Sequence, residues 1–186
     1  MGLFIDATGL DRATRRLDKK IDLASLVKGL SSGLKIEVAR YYCLIPYEDD
    51  ARQSAFLDAV ERAGVEVVTK RLPPKGVKRQ VSMDVHIATD IVSFAFGHFA
   101  EKQDQGELKV ANSDSDLISA KKDSDSTIKR AVTVVCPSRE LSYALYMANE
   151  CGVETSLADF GMYGTSDGWK GVDRWIDMST SETIWR

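Results

Sequence analysis

The chain has 186 residues, of which 44% are hydrophobic and 28% are charged, and its formal net charge is −3 at pH 7. This is an ordinary globular composition with enough apolar residues for a sizeable core, and the charge excludes a global positive field that would attract nucleic acid. No apolar run approaches the roughly 20 residues that span a bilayer, and the N-terminus lacks the pattern of a signal peptide, so we expect no membrane partner and a cytoplasmic location.

Short runs rich in β-branched residues alternate with longer runs of helical periodicity along the chain. The predicted strands are residues 2–5, 34–45, 65–68, 107–111, 131–136 and 153–157, and the predicted helices are residues 21–30, 49–63, 82–99 and 138–150. Strands separated by helices imply right-handed crossovers, and hence a mostly parallel sheet with helices on both faces. We expect one domain over residues 1–160 and an aromatic-rich extension over residues 161–186.

Aspartates stand where several of these predicted elements meet. Asp6 directly follows the first strand, Asp114 and Asp116 follow the fourth, Asp84 begins the long helix and Asp90 lies under two turns further on. Because sites in open parallel sheets form at the carboxyl ends of strands, these side chains converge if the first and fourth strands are neighbours. Clustered carboxylates repel each other, and a hard cation such as Mg²⁺ or Mn²⁺ removes that cost.

Such a cluster would serve phosphodiester hydrolysis, because a bound metal ion polarises a phosphoryl oxygen and acidifies a bound water. A structural alternative exists for each residue taken alone. An aspartate directly after a strand often caps the next helix, and this applies to both Asp6 and Asp114.

Four blocks of sequence occur in an order that is typical of one family. They are Leu3-Phe4-Ile5-Asp6, then Arg40-Tyr41-Tyr42, then Lys75, Lys78 and Arg79 leading to Met83-Asp84, and finally Ser113-Asp114-Ser115-Asp116-Leu117. With these blocks the chain resembles the NYN domain proteins, relatives of the PIN-domain nucleases, over roughly residues 2–158. The later run Val134-Val135-Cys136-Pro137-Ser138 is similar to the strand and turn that follow in that family.

The resemblance implies a PIN-like, Rossmannoid three-layer α/β/α sandwich with a central, mostly parallel sheet. It also implies a metal-dependent endoribonuclease in which Asp6, Asp84, Asp114 and Asp116 are catalytic and bind Mg²⁺ or Mn²⁺, with Asp90 as a supporting metal-binding acid. One departure is Gly9, which stands where the family often has Asn. This departure favours the alternative of a non-catalytic RNA-binding or protein-interaction module on a decayed nuclease scaffold, and a metal-dependent phosphatase or DNA nuclease is a third possibility.

An RNA partner requires cations near the acidic site. We expect RNA-binding residues in two clusters that flank the aspartates, namely Arg12, Arg15 and Arg16 after Asp6, and Lys75, Lys78 and Arg79 before Asp84. A solvated charged surface is the alternative for each cluster. We expect the tryptophans of the extension to pack back onto the domain. The alternatives are that they stack on RNA bases or form contacts in a homodimer.

Overall fold

The computed structural model describes residues 1–48, 50–97, 130–163 and 168–185. In these ranges six strands form one sheet, and all five pairings between neighbouring strands are parallel. The strands are β1 (Gly2–Asp6), β2 (Val38–Ile45), β3 (Glu66–Arg71), β4 (Ala131–Val135), β5 (Glu154–Asp159) and β6 (Arg174–Asp177). The helices are α1 (Ala7–Leu17), α2 (Leu23–Ser31), α3 (Ala51–Arg62), α4 (Asp84–Ala95) and α5 (Ser142–Glu150).

The helices cover both faces of the sheet. Successive strand residues point to opposite faces, so Leu3 and Ile5 pack on the side of α1, α2 and α3, while Phe4 packs on the side of α4 and α5. Each large apolar side chain buried in this way contributes roughly 1.5–3 kcal/mol. The predicted three-layer α/β/α sandwich of PIN-like type is thereby confirmed.

The sheet has the order β3-β2-β1-β4-β5-β6, with β1 near its centre. All five residues of β1 are buried, and β1 is flanked by β2 on one side and by β4 on the other. The convergence of Asp6 with Asp114 and Asp116 was expected on the condition that residues 107–111 lie beside the first strand, and among the described residues β1 is flanked by β2 and by Ala131–Val135. The strand β4 suits a central position since it is uniformly apolar except for Thr133 and is buried throughout. Residues 107–111 themselves lie outside the described ranges.

The stretch after residue 160 contributes to the sheet and to the core. It forms the edge strand β6, which the sequence pattern did not predict, and it buries Met178 and Ile184 among residues of the α1 side. The Trp185 ring lies 5.6 Å from the Phe160 ring, and Lys19 Nζ lies 5.0 Å from the Trp185 ring centroid. The predicted homodimer stays a prediction. Within the described ranges, no helix is both long and apolar enough to cross a bilayer.

Candidate functional site

The chain makes a topological switch between β1 and β4. From β1 it runs directly into α1 on one face of the sheet, and from β4 it runs through a short 3₁₀ turn (Arg139–Leu141) into α5 on the other face. Neighbouring parallel strands whose helices depart to opposite faces leave a crevice at their carboxyl ends, where ligands bind in open α/β sheets. The candidate site lies in this crevice.

Asp6 ends β1 at the mouth of the crevice and is only 6% exposed. Its Oδ1 accepts a hydrogen bond of 2.9 Å from the Thr8 backbone N–H, so Asp6 caps α1. Burial raises the pKa of the Asp6 carboxyl and the nearby Asp84 adds to this shift, whereas the Thr8 and Gly9 N–H groups and Arg12 oppose it. Asp6 therefore has the structural role of a helix cap and also lies within electrostatic reach of a second carboxylate.

That second carboxylate, Asp84, begins α4. Its Oδ1 accepts a hydrogen bond of 2.7 Å from Ser138 Oγ, which lies in the turn that follows β4. The first turn of a helix favours a negative side chain because of the helix dipole. The structure thus places Asp84 within electrostatic reach of Asp6 and adds the hydroxyl of Ser138, and the metal-binding role of the two carboxylates stays a prediction.

Asp90 has different partners. Its Oδ2 accepts hydrogen bonds from Arg40 Nη1 at 2.7 Å and from Tyr42 Oη at 2.6 Å. In the pairing of β1 with β2, Arg40 is aligned with Phe4 and Tyr42 is aligned with Asp6. The structure gives Asp90 the role of joining α4 to the sheet, and its contribution to a metal site stays a prediction.

Asp114 and Asp116 lie outside the described residues, so their predicted roles are not tested by the geometry. Within the described ranges, no group of three or more His, Cys, Asp or Glu side chains could hold a metal ion. The strand β4, which pairs with β1, is followed by Cys136-Pro137-Ser138. At this end of the crevice the chain therefore presents the hydroxyl of Ser138 to Asp84.

The predicted RNA-binding cations form two groups, one on α1 and one on the loop before α4. Arg12 lines the crevice, whereas Arg15 and Arg16 lie about one turn further along the exposed side of α1, where Arg15 pairs with Asp11 at 2.9 Å. The other group lies on the exposed loop between β3 and α4 that leads to Asp84: Lys75, Lys78 and Arg79.

The crevice continues into a cleft of about 280 Å³ between α1, the turn after β4, and the strands β5 and β6. Its lining residues are Gly9, Arg12, Cys136, Pro137, Ser138, Arg139, Leu157, Asp159, Trp169 and Trp175. Sequence reasoning missed Asp159 and Arg139 as site residues. The signal that could have found Asp159 is its position at the end of a strand, the same signal that identified Asp6.

Asp159 is half-buried at the end of β5. It accepts a hydrogen bond of 2.7 Å from the Phe160 backbone N–H and a further one from the Cys136 thiol. Burial raises the pKa of the Asp159 carboxyl, while these two hydrogen bonds oppose the shift. Burial also raises the pKa of the Cys136 thiol, and the charge of Asp159 adds to it, so Cys136 is a protonated donor and an unreactive thiol at neutral pH.

Gly9 has a steric reason to be glycine. A Cβ at this position would overlap the carbonyl oxygen of Cys136 and would lie 3.0 Å from the Cys136 Cβ. Cys136 itself has φ of 50°, in the left-handed region that side chains rarely adopt. The first turn of α1 and the turn after β4 therefore touch through their backbones, which leaves no space for the Asn found in many family members.

The parallel sheet with helices on both faces and with acidic residues at the switch point defines a PIN-like α/β domain. The model of the NYN domain family matches residues 1–129, and the chain belongs to this family. The crystal structure of a protein of unknown function from Vibrio parahaemolyticus has a similar fold, with a TM-score of 0.68 and 10% sequence identity, covering 100% of this chain and 96% of that one. A comparison with curated proteins found no match.

Proposed function

We propose that this NYN domain is a metal-dependent endoribonuclease that hydrolyses RNA phosphodiester bonds. The observation that carries the proposal is the juxtaposition of Asp6 and Asp84 in the crevice at the switch point of the sheet. Both side chains come from sequence blocks that resemble the family's acidic positions. The exposed cations of α1 and of the loop before α4 would neutralise the phosphates of an RNA strand on either side of this pair.

The donor chemistry fits Mg²⁺ or Mn²⁺. Mg²⁺ is commonly bound by only one or two carboxylates together with waters and substrate phosphates, so Asp6 and Asp84 suffice as the protein ligands within the described residues. Ionised Asp6 is disfavoured by its burial and by the charge of Asp84, and a bound cation would offset both effects. We propose that Asp114 and Asp116 complete this site and that Asp90 supports it.

When bound, such an ion supplies Lewis-acid polarisation of a phosphoryl oxygen and a water of lowered pKa. The protein's own residues prepare the site for it. The Thr8 N–H fixes one oxygen of Asp6, and Ser138 fixes one oxygen of Asp84, so the rotamers of both carboxylates are restrained before substrate binds. Arg12, on the wall of the crevice, would attract the phosphate backbone next to them.

The test separates the ligand role of Asp6 from its capping role. Asp6→Asn removes the charge but keeps a residue that caps helices equally well, so folding should be preserved. With labelled RNA and Mn²⁺, we expect Asp6→Asn, Asp84→Asn and Asp114→Asn each to reduce cleavage by on the order of 100-fold or more. The matched control is Asp50→Asn, since Asp50 caps α3 in the same way at an exposed position, and this variant should cleave like the wild type. Wild-type cleavage by folded Asp6→Asn and Asp84→Asn would contradict the proposal.

A second candidate function is a non-catalytic RNA-binding or protein-interaction module on a decayed nuclease scaffold. The observation that favours it is the turn after β4, where the strand beside β1 leads to Ser138 and not to a carboxylate. This candidate predicts RNA binding without cleavage in either metal ion, and little effect of Asp6→Asn on binding. A substrate panel of RNA, DNA and a phosphate monoester separates both candidates from a DNA nuclease or a phosphatase.

A further inference from the structure

Two indole rings line the cleft beside the crevice, and both are only half-buried. Trp175 lies on β6 next to Ile176, which packs into the core on the α1 side, so the Trp175 side chain points to the opposite face. Trp169 partly packs against the core on the α4 side. In contrast, Trp185 packs against Phe160 and Lys19 away from the cleft. Half-exposed aromatic rings in a concave site are stacking platforms for planar ligands.

Guanidinium groups stand on two walls of the same cleft. Arg12 comes from α1, and Arg139 comes from the turn after β4, where its guanidinium carbon lies 5.0 Å from the Trp169 ring centroid. Both residues are exposed, and Arg12 also acts electrostatically on Asp6. Guanidinium groups bind phosphate through paired hydrogen bonds.

The lining of the cleft also contains a carboxylate, which restricts the class of ligand that can bind there. Asp159 receives two hydrogen bonds from the protein, whereas a carboxylate has about four lone-pair sites, so it keeps capacity to accept hydrogen bonds from a ligand in the cleft. A carboxylate repels phosphate but accepts hydrogen bonds from the N–H groups of a nucleobase. Aromatic, cationic and acceptor groups in one cleft match a nucleotide better than a bare anion or an apolar ligand.

We infer that this cleft is a subsite for one unpaired RNA nucleotide next to the scissile phosphate. Trp169 and Trp175 stack on the base, Arg12 and Arg139 hold its phosphate, and Asp159 accepts hydrogen bonds from the edge of the base. Guanine is the preferred base because its Watson–Crick edge presents two adjacent N–H donors to the carboxylate. This inference deepens the proposed function and rests on it for the choice of RNA as the ligand.

The subsite has a consequence for the secondary structure of the substrate. In a duplex the base is stacked and its Watson–Crick edge is already paired, so it can reach neither the indoles nor Asp159. The domain should therefore bind single-stranded RNA in preference to duplex RNA of the same length.

The test measures binding in EDTA, so that it does not depend on metal-ion chemistry. The probes are short fluorescein-labelled RNAs: a single strand that contains guanosine and uridine, an oligouridylate of equal length, and a duplex. Fluorescence anisotropy measures their binding. We expect Trp169→Ala to raise the Kd for the guanosine-containing strand by about 5- to 150-fold, the range for loss of one stacked base. Arg139→Gln should weaken both single strands alike, whereas Asp159→Asn should remove the preference for the guanosine-containing strand.

Matched controls are available for each change. Trp185→Phe removes an indole outside the cleft, and Arg62→Gln removes an exposed guanidinium on α3, so both should bind like the wild type. Trp169→Phe, together with thermal unfolding of each variant, separates lost stacking from lost folding.

The possible outcomes distinguish this inference from the proposed function. Binding that depends on Trp169 and Arg139, without cleavage in Mn²⁺, supports the subsite and contradicts the nuclease. Cleavage in Mn²⁺ with an unchanged Kd and an unchanged KM in Trp169→Ala and Arg139→Gln overturns the subsite and leaves the nuclease intact. Equal affinity of the wild type for duplex and single strand also overturns it.

Discussion

A single glycine shows how closely the two walls of the candidate site approach each other. Gly9 lies in the first turn of α1 against the carbonyl group of Cys136, which belongs to the turn after β4. Asp6 precedes this contact by three residues, and Ser138 follows it by two. The backbone contact therefore sets the distance between the Asp6 end of the crevice and the turn that holds Asp84 through Ser138.

We expect Gly9→Ala to destabilise the protein by about 1–3 kcal/mol, since the added methyl group must displace a backbone carbonyl. Gly9→Asn should be at least as destabilising and should not increase cleavage, although Asn is frequent at this position in the family. The control is Gly29→Ala in α2, where nothing lies within 4 Å of the added Cβ, and where alanine should stabilise by roughly 0.5–1 kcal/mol. Denaturant unfolding measures both changes, and a neutral Gly9→Ala would show that the two turns separate easily.

Among single residues, the sequence predicts those site residues that have a recognisable position relative to a strand or a helix. Asp6 stands directly after a strand and Asp84 begins a helix, and in the structure the charge of Asp84 acts on Asp6. No local sequence pattern identifies Arg139 and Trp175 as site residues. Arg139 reaches the cleft through the turn after β4, and Trp175 reaches it through the pairing of β6 with β5. The choice between a helix cap and a metal ligand at Asp6 could not be made from sequence, since both occupy the same position in the pattern, and the structure shows the cap.

One polar network fixes helix α4 to the sheet, and thereby fixes the position of Asp84 at its start. Asp90 on α4 receives hydrogen bonds from Arg40 and Tyr42 on β2, and Arg40 also pairs with Glu66 on β3 at 2.9 Å. The side chains of Arg40 and Asp90 are 14% and 20% exposed, so little water competes with their ion pair. Burial and the neighbouring Asp90 raise the pKa of Tyr42, which keeps its hydroxyl a donor at neutral pH.

Asp90→Ala should therefore destabilise the protein by about 2–4 kcal/mol, because it leaves the guanidinium and the phenol without their shared acceptor. Asp11→Ala is the control, since Asp11 pairs with Arg15 at the surface and its loss should cost less than about 1 kcal/mol. Thermal unfolding compares the two variants. If Asp90→Ala leaves stability unchanged but weakens Mn²⁺ binding, the residue acts as a metal ligand and the network is not what holds α4.

Several long elements were predicted well, whereas the helix α1 (Ala7–Leu17) and the edge strand β6 were not predicted. The predicted helix at residues 82–99 corresponds to α4, and the predicted strands at residues 34–45 and 131–136 correspond to β2 and β4. The edge strand β6 has only four residues and follows a glycine-rich run, so it has too few alternating positions to show a period. The sequence did not decide which apolar run lies beside β1, because strand order depends on packing, and the structure places β4 there.

For the molecule as a whole, the C-terminal stretch is structurally continuous with the sheet that carries the candidate site. The Ile184 side chain is 3% exposed in the core on the α1 side, and its carbonyl accepts a hydrogen bond of 2.8 Å from the Asp22 N–H before α2. The strand β6 also places Trp175 on the wall of the cleft. An appended tail would unfold separately, whereas a sixth strand with buried anchors should unfold together with the rest.

We therefore expect Ile184→Ala to lower the free energy of unfolding of the entire domain by about 2–5 kcal/mol, the usual cost of truncating a buried Ile. The exposed Val85→Ala, at 72% relative accessibility, is the control and should change it by less than about 0.5 kcal/mol. Far-ultraviolet circular dichroism reports on the helices, and tryptophan fluorescence reports on the C-terminal stretch, which contains all three tryptophans. Coincident melting curves that shift together in Ile184→Ala are expected because both probes then follow one cooperative unit. If fluorescence is lost at a lower temperature than the helical signal, residues 161–186 form a separate unit, and the cleft they line would open without unfolding the Asp6–Asp84 site.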